Sequence, residues 1–78
     1  MAITARLFAG VRERAGQRTI EVGGSTIADV RASLAELCPP VADLLGACRF
    51  ALDDEFVFDE TPVPDGATVD VIPPVSGG

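Results

Sequence analysis

The residues best suited to chemistry in this sequence are its last six, PPVSGG at positions 73–78. Gly77 and Gly78 carry no Cβ, so their backbone fits a channel too narrow for any other residue type. Gly78 also carries the terminal carboxylate, which is ionised near neutral pH and is a poor electrophile until it is activated. A mixed anhydride with a nucleotide phosphate is one such activated form. Glycine suits that step, because an acyl group with no α-stereocentre cannot racemise. Pro73 and Pro74 lack an N–H and hold φ near −65°, so they stop sheet pairing and start an extended, polyproline-like path. Six residues reach roughly 20 Å. Pro73, Pro74, Val75, Ser76 and Gly77 therefore read as a narrow, extended thread leading to Gly78, an acyl end matched to enzymatic activation. A glycine end alone is also what a merely loose terminus has.

The rest of the composition narrows the chemistry. Among 78 residues there is no His, and all six basic residues are Arg. Ser-His and Cys-His nucleophile pairs, His-based zinc sites, Schiff bases and a phosphate-loop lysine are thereby excluded. Paired Asp or Glu catalysis would need an enclosed pocket that so small a domain hardly provides. The chain is expected to serve as a substrate or carrier, with no metal and no bound cofactor. Cys38 and Cys48 lack metal or redox spacing and read as small apolar core residues, with a disulfide or reactive thiol as the other reading.

Twelve acidic residues against six basic give a net charge of −6. Nucleic acid is excluded as a partner, because binding it needs a basic footprint. A basic protein surface fits better. The sequence has no apolar run of membrane-spanning length, and MAITARLFAG lacks the character of a secretory signal. A cytoplasmic location is expected.

The elements that must position the tail follow from periodicity. ITARLFA alternates, with Ile3, Ala5 and Leu7 facing a core and Thr4, Arg6 and Phe8 facing away. GVRERAG is a turn or short helical piece, and QRTIEV is a second strand with Ile20 and Val22 in phase. The two strands are expected to pair as a hairpin. GGSTIADVRASLAEL is the main helix, with Thr26 as N-cap, Asp29 completing a capping box, and Ile27, Val30, Leu34 and Leu37 as its apolar face. CPP ends it, and VADLLGA forms a further helical turn. CRFALDDEFVF supplies two strands about an acidic turn at Asp53–Glu55. PDG closes another turn, and ATVDVI is the last strand, with Val69 and Val71 inward. The sum is α+β: a mixed sheet with one main helix across one face.

Two strands break their own alternation. The outward residues Thr4, Arg6, Phe8 and Thr68, Asp70, Ile72 both end on a large apolar side chain. If these strands lie side by side and parallel, Phe8 and Ile72 form a patch at the base of the tail. Such a patch marks a partner surface, unless each residue tucks under a loop.

LFAGVRERAG, FALDDEFVF, PVPDGATVDVIPP and the terminal PPVSGG together resemble the small subunits of molybdopterin synthase, which are ubiquitin-like sulfur carriers. The resemblance spans nearly the full length. It implies a ubiquitin-like β-grasp over residues 1–72, with a five-stranded mixed sheet, and an extended tail over 73–78. It implies that Gly78 is adenylated by a ubiquitin-activating-type enzyme that uses ATP, and that a sulfur donor protein then supplies the sulfur of a thiocarboxylate. The chain would be the non-catalytic, sulfur-donating subunit, and the large subunit would use that sulfur to build the dithiolene of molybdopterin. Phe8, Phe56 and Ile72 match the family's partner-binding positions, and two carriers on a dimeric large subunit are implied. The family often has Asn at the place of Asp53 and an aromatic at that of Ile72. The other readings are a sulfur carrier for thiamine or cysteine biosynthesis, and a noncovalent ubiquitin-like binding module with an inert tail.

Overall fold

In a computed structural model of the chain, the structure describes residues 2–74. The first strand, β1 (Ile3–Leu7), buries Ile3, Ala5 and Leu7 on one face, as its alternation requires. A short helix, α1 (Ala9–Ala15), follows at once, and Gly16 ends it at φ 76°, where a side chain would be strained. β2 (Thr19–Val22) then returns antiparallel to β1 with Ala5 opposite Ile20. The expected pairing of the first two strands is present, and α1 forms their connection.

The main helix, α2 (Ile27–Leu37), starts as its sequence dictates. The Asp29 N–H donates to Thr26 Oγ1 at 3.3 Å, while Asp29 Oδ2 accepts from the N–H groups of Ser25 at 2.9 Å and Thr26 at 3.2 Å. These bonds satisfy N–H groups that a helix start leaves without partners. Ile27, Val30 and Leu34 are fully buried against the sheet.

Leu37 is a correction to the expected apolar face: it is 59% exposed. The stripe continues instead through Cys38, four residues after Leu34, which is buried. Pro39 and Pro40 open a 3-10 turn (Pro39–Val41) that leads into α3 (Ala42–Leu45). Val41 and Leu45 of this segment fill the core beyond α2, and the side chain of Leu37 is left to one side.

β3 (Arg49–Leu52) and β4 (Glu55–Val57) form a hairpin about Asp53 and Asp54, and β5 (Thr68–Ile72) ends the described fold. The sheet order is β2-β1-β5-β3-β4. β1 and β5 pair in parallel, and the other neighbours are antiparallel. One side of this mixed sheet faces α2 and holds the core, with Phe50, Val69 and Val71 buried against Leu34 and Val30. Side chains of this kind contribute roughly 1.5–3 kcal/mol each on burial. Cys38 and Cys48 are both free thiols inside that core.

Candidate functional site: the open sheet face

The face of the sheet away from α2 carries the outward residues of every strand. Registers fix their rows. Arg6 is the partner of Asp70, Asp70 of Ala51, and Ala51 of Phe56. This row crosses four strands. In the next row Ile72 is the partner of Arg49. One step beyond the pairs Leu7–Val71 and Phe50–Val57, the same registers bring Phe8 beside Ile72 and Phe58 beside Arg49. Phe8 keeps an extended backbone (φ −125°, ψ 150°), so the outward alternation of β1 carries through it into α1.

Phe8 and Ile72 therefore lie side by side, as the parallel pairing of the first and last strands requires. Both are half-buried. Phe56 sits in the adjacent row and is 55% exposed. The chain leaves the sheet immediately after Ile72, with Pro73 half-buried and Pro74 exposed. Val75, Ser76, Gly77 and Gly78, assigned to the thread and its reactive end, lie outside the described residues.

Charge is graded along this face. Arg6 and Asp70 form a two-pronged pair, Nε to Oδ1 at 2.8 Å and a terminal nitrogen to Oδ2 at 3.1 Å. The hydrogen bonds and charge of Asp70 push the Arg6 guanidinium up from its ordinary range. Beyond this pair a cleft of about 260 Å³ is lined by Arg6, Asp53, Asp54, Thr68 and Asp70, so the end of the face away from the tail is acidic. At the tail end the face is apolar and carries guanidinium groups stacked on rings. Arg6 lies 5.4 Å from the centroid of Phe8, and Arg49 lies 5.1 Å from that of Phe56.

Sequence reasoning missed two members of this face. Phe58 is 71% exposed, more than Phe56. Its signal was present: in EFVF the two rings share one parity and Val57 takes the other. Arg49 was not singled out, because an Arg opening a strand carries no mark of the ring it will cover. Beside these residues lies a groove of about 490 Å³. Phe56, Val57 and Phe58 form one wall, Phe50 and Cys48 lie deeper, and Arg31, Arg49, Asp59 and Glu60 supply its charges. Cys48 is no nucleophile here: burial pushes its thiol up, against the smaller opposing effect of Arg31, and its Sγ donates to the Leu44 carbonyl at 3.2 Å. Among the described residues no group of His, Cys, Asp and Glu could hold a metal ion, and no helix is long and apolar enough to cross a membrane.

Known proteins agree with this architecture. The pattern of the ThiS family matches residues 5–78. The chain is 37% identical over 83 aligned positions to the molybdopterin synthase sulfur carrier subunit of Chlamydomonas reinhardtii, with all of both chains covered. Among solved structures it is similar to SAMP1 from Haloferax volcanii, with a TM-score of 0.87 and 25% identity over all of both chains. It is also similar to a chain in the protein–protein complex of subunits 1 and 2 of the molybdopterin-converting factor from Helicobacter pylori, with a TM-score of 0.73 and 25% identity over all of both chains. The fold is the ubiquitin-like β-grasp that the sequence resemblance implied. A β-grasp with an apolar patch where the chain leaves the sheet, matched over its length to these proteins, belongs to the ThiS family of sulfur carriers and is a homologue of the molybdopterin synthase small subunit.

Proposed function

We propose that this chain carries sulfur on Gly78 and delivers it to the large subunit of molybdopterin synthase. The observation that carries the reading is the parallel pairing of β1 and β5, which sets Phe8 against Ile72 where the chain departs toward its reactive end. A partner that grips this patch receives a tail of fixed origin and a reach of roughly 20 Å. The match to a sulfur carrier subunit over the whole chain supports the same reading.

The chemistry follows from the carboxylate. An oxygen of the Gly78 carboxylate attacks the α-phosphate of ATP on a ubiquitin-activating-type enzyme, and pyrophosphate leaves. The acyl-adenylate now has AMP as a leaving group. A persulfide on a donor protein attacks the carbonyl carbon, and the C–O bond to AMP breaks. A second thiol then cleaves the resulting acyl disulfide, pairing with the donor cysteine and leaving a thiocarboxylate at Gly78. Pro73 and Pro74 stiffen the exit, and Val75, Ser76 and Gly77 thread the tail into the large subunit. There the sulfur is used to build the dithiolene of molybdopterin from its cyclic pyranopterin precursor. The carrier binds no cofactor of its own; ATP belongs to the activating enzyme. Two carriers on a dimeric large subunit give a heterotetramer, and the components meet in the cytoplasm.

A second reading keeps the activation of Gly78 and changes the acceptor. The ThiS family match and the likeness to SAMP1 favour it as the alternative. Reconstitution separates the two. Thiocarboxylated chain mixed with the large subunit and the pyranopterin precursor is expected to yield molybdopterin, and the chain lacking Gly78 to yield none. Charged carrier that leaves the precursor unchanged, with the large subunit active toward another carrier, would assign the sulfur to a different pathway.

A further inference from the structure

We infer that the docking face continues past Ile72 onto β4, and that the groove beside Phe58 receives a carboxylate-bearing side chain of the large subunit. The inference rests on the function proposed above. Its first support is continuity. Phe58, Arg49, Ile72 and Phe8 occupy one row by register, so the apolar surface does not stop at the residues the resemblance marks. Phe58 is the most exposed large apolar side chain among the described residues, at 71%. Two exposed rings on one face of a small domain are characteristic of a surface that another protein covers.

The groove's charges choose the occupant. Arg6, Arg14 and Arg31 each hold a carboxylate, whereas Arg49 has no ion-pair partner among the described residues. Its guanidinium is stacked on Phe56, which holds it at the groove's edge. Arg31 gives a terminal nitrogen to Asp59 and lies 5.0 Å from the centroid of Phe50, and its Nε is enclosed within the fold, so its charge is answered inside the chain. Asp59 is balanced by Arg31, and Glu60 is the other acid of the groove, so its formal charge is zero in a chain of −6. A cationic side chain over the two rings would meet the unpaired Arg49 guanidinium. An apolar one would fill the aromatic wall but cover the Arg49 guanidinium without giving it an acceptor. An Asp or Glu of the partner lays its methylenes against Phe56 and Phe58 and offers oxygens to Arg49.

The test is titration calorimetry of the full chain against the large subunit from the same organism, with thermal melts to show that each variant folds. Phe58→Ala is expected to weaken binding about tenfold or more. Arg49→Gln should weaken it by a similar factor and flatten its salt dependence, while Arg49→Lys keeps the salt dependence but loses part of the affinity, because an ammonium does not stack on Phe56 as a guanidinium does. Leu37→Ala, at an exposed position outside this face, should bind as the wild type does. Phe58→Ala and Arg49→Gln both at wild-type affinity, with Phe8→Arg defective, would confine the face to Phe8, Phe56 and Ile72 and overturn the inference. A defect in Phe58→Ala alone would overturn the carboxylate assignment. A wild-type chain that does not bind would overturn the proposed function and this extension with it.

Discussion

Arg6 and Asp70, 64 residues apart in sequence, are clamped together across two parallel strands by a pair of hydrogen bonds. The clamp lies directly behind Phe8 and Ile72 in the same two strands. It ties the start of the chain to the strand from which the tail departs, and so fixes the patch relative to the exit point.

That patch is expected to be energetically dominant in partner binding. Phe8→Arg places a charge where an apolar partner surface must close, and should weaken the large-subunit complex by about 2 kcal/mol or more. Calorimetric titration checks it, and an unchanged affinity would remove Phe8 from the interface. Asp70→Ala leaves the patch residues in place but removes the clamp. Because the ion pair is partly exposed to solvent, a small fall in melting temperature is expected, and a smaller one in high salt.

Leu34 and Leu37 lie one turn apart on α2 and should behave oppositely. Leu34 is fully buried and Leu37 is 59% exposed. Leu34→Ala is expected to cost about 2–5 kcal/mol in urea unfolding, and Leu37→Ala within about 0.5 kcal/mol of nothing. Equal losses would contradict the path of the chain through Cys38 and Pro39.

The capping box gives the fold a pH dependence of known sign. The N–H groups of Ser25 and then Thr26 hold the Asp29 carboxyl below its ordinary range. Its contribution is therefore present above the unfolded-state pKa of about 4 and is lost as pH falls through the lower folded-state value. Asp29→Asn should melt below the wild type at neutral pH, and the gap should close in acid. A gap that persists undiminished at low pH would show that the charge is not what the cap uses.

The turn between β3 and β4 holds two non-glycine residues in the left-handed region, Asp53 at φ 50° and Asp54 at φ 67°. Both positive angles are what a two-residue hairpin turn of the Asn-Gly kind demands. Asp54→Gly is expected to stabilise the chain by about 1 kcal/mol in chemical denaturation, by relieving the Cβ clash. A destabilised variant would mean that the Asp54 side chain contributes more than its backbone strain costs.

Much of this was legible in the residues. Alternation placed Ile3, Ala5 and Leu7 inward, and the matching irregularity at Phe8 and Ile72 led to the parallel contact of β1 and β5. Thr26 and Asp29 announced the start of α2, because capping is a local interaction between residues three apart. Leu37 misled because helical spacing does not say where a helix ends relative to its sheet. The groove was missed for a related reason, although Phe58 itself was legible from the parity it shares with Phe56 in EFVF. A groove between α2, β3 and β4 joins Arg31, Arg49 and Phe58, whose proximity depends on tertiary packing and leaves no trace in local pattern.

The measurement that bears most directly on the central claim is the intact mass of the chain after incubation with ATP, the activating enzyme and a sulfur donor. The account predicts a gain equal to the exchange of one oxygen for sulfur, abolished by deleting Gly78. An unchanged mass, with the activating enzyme shown to be active, would contradict it and leave a binding module with an inert tail.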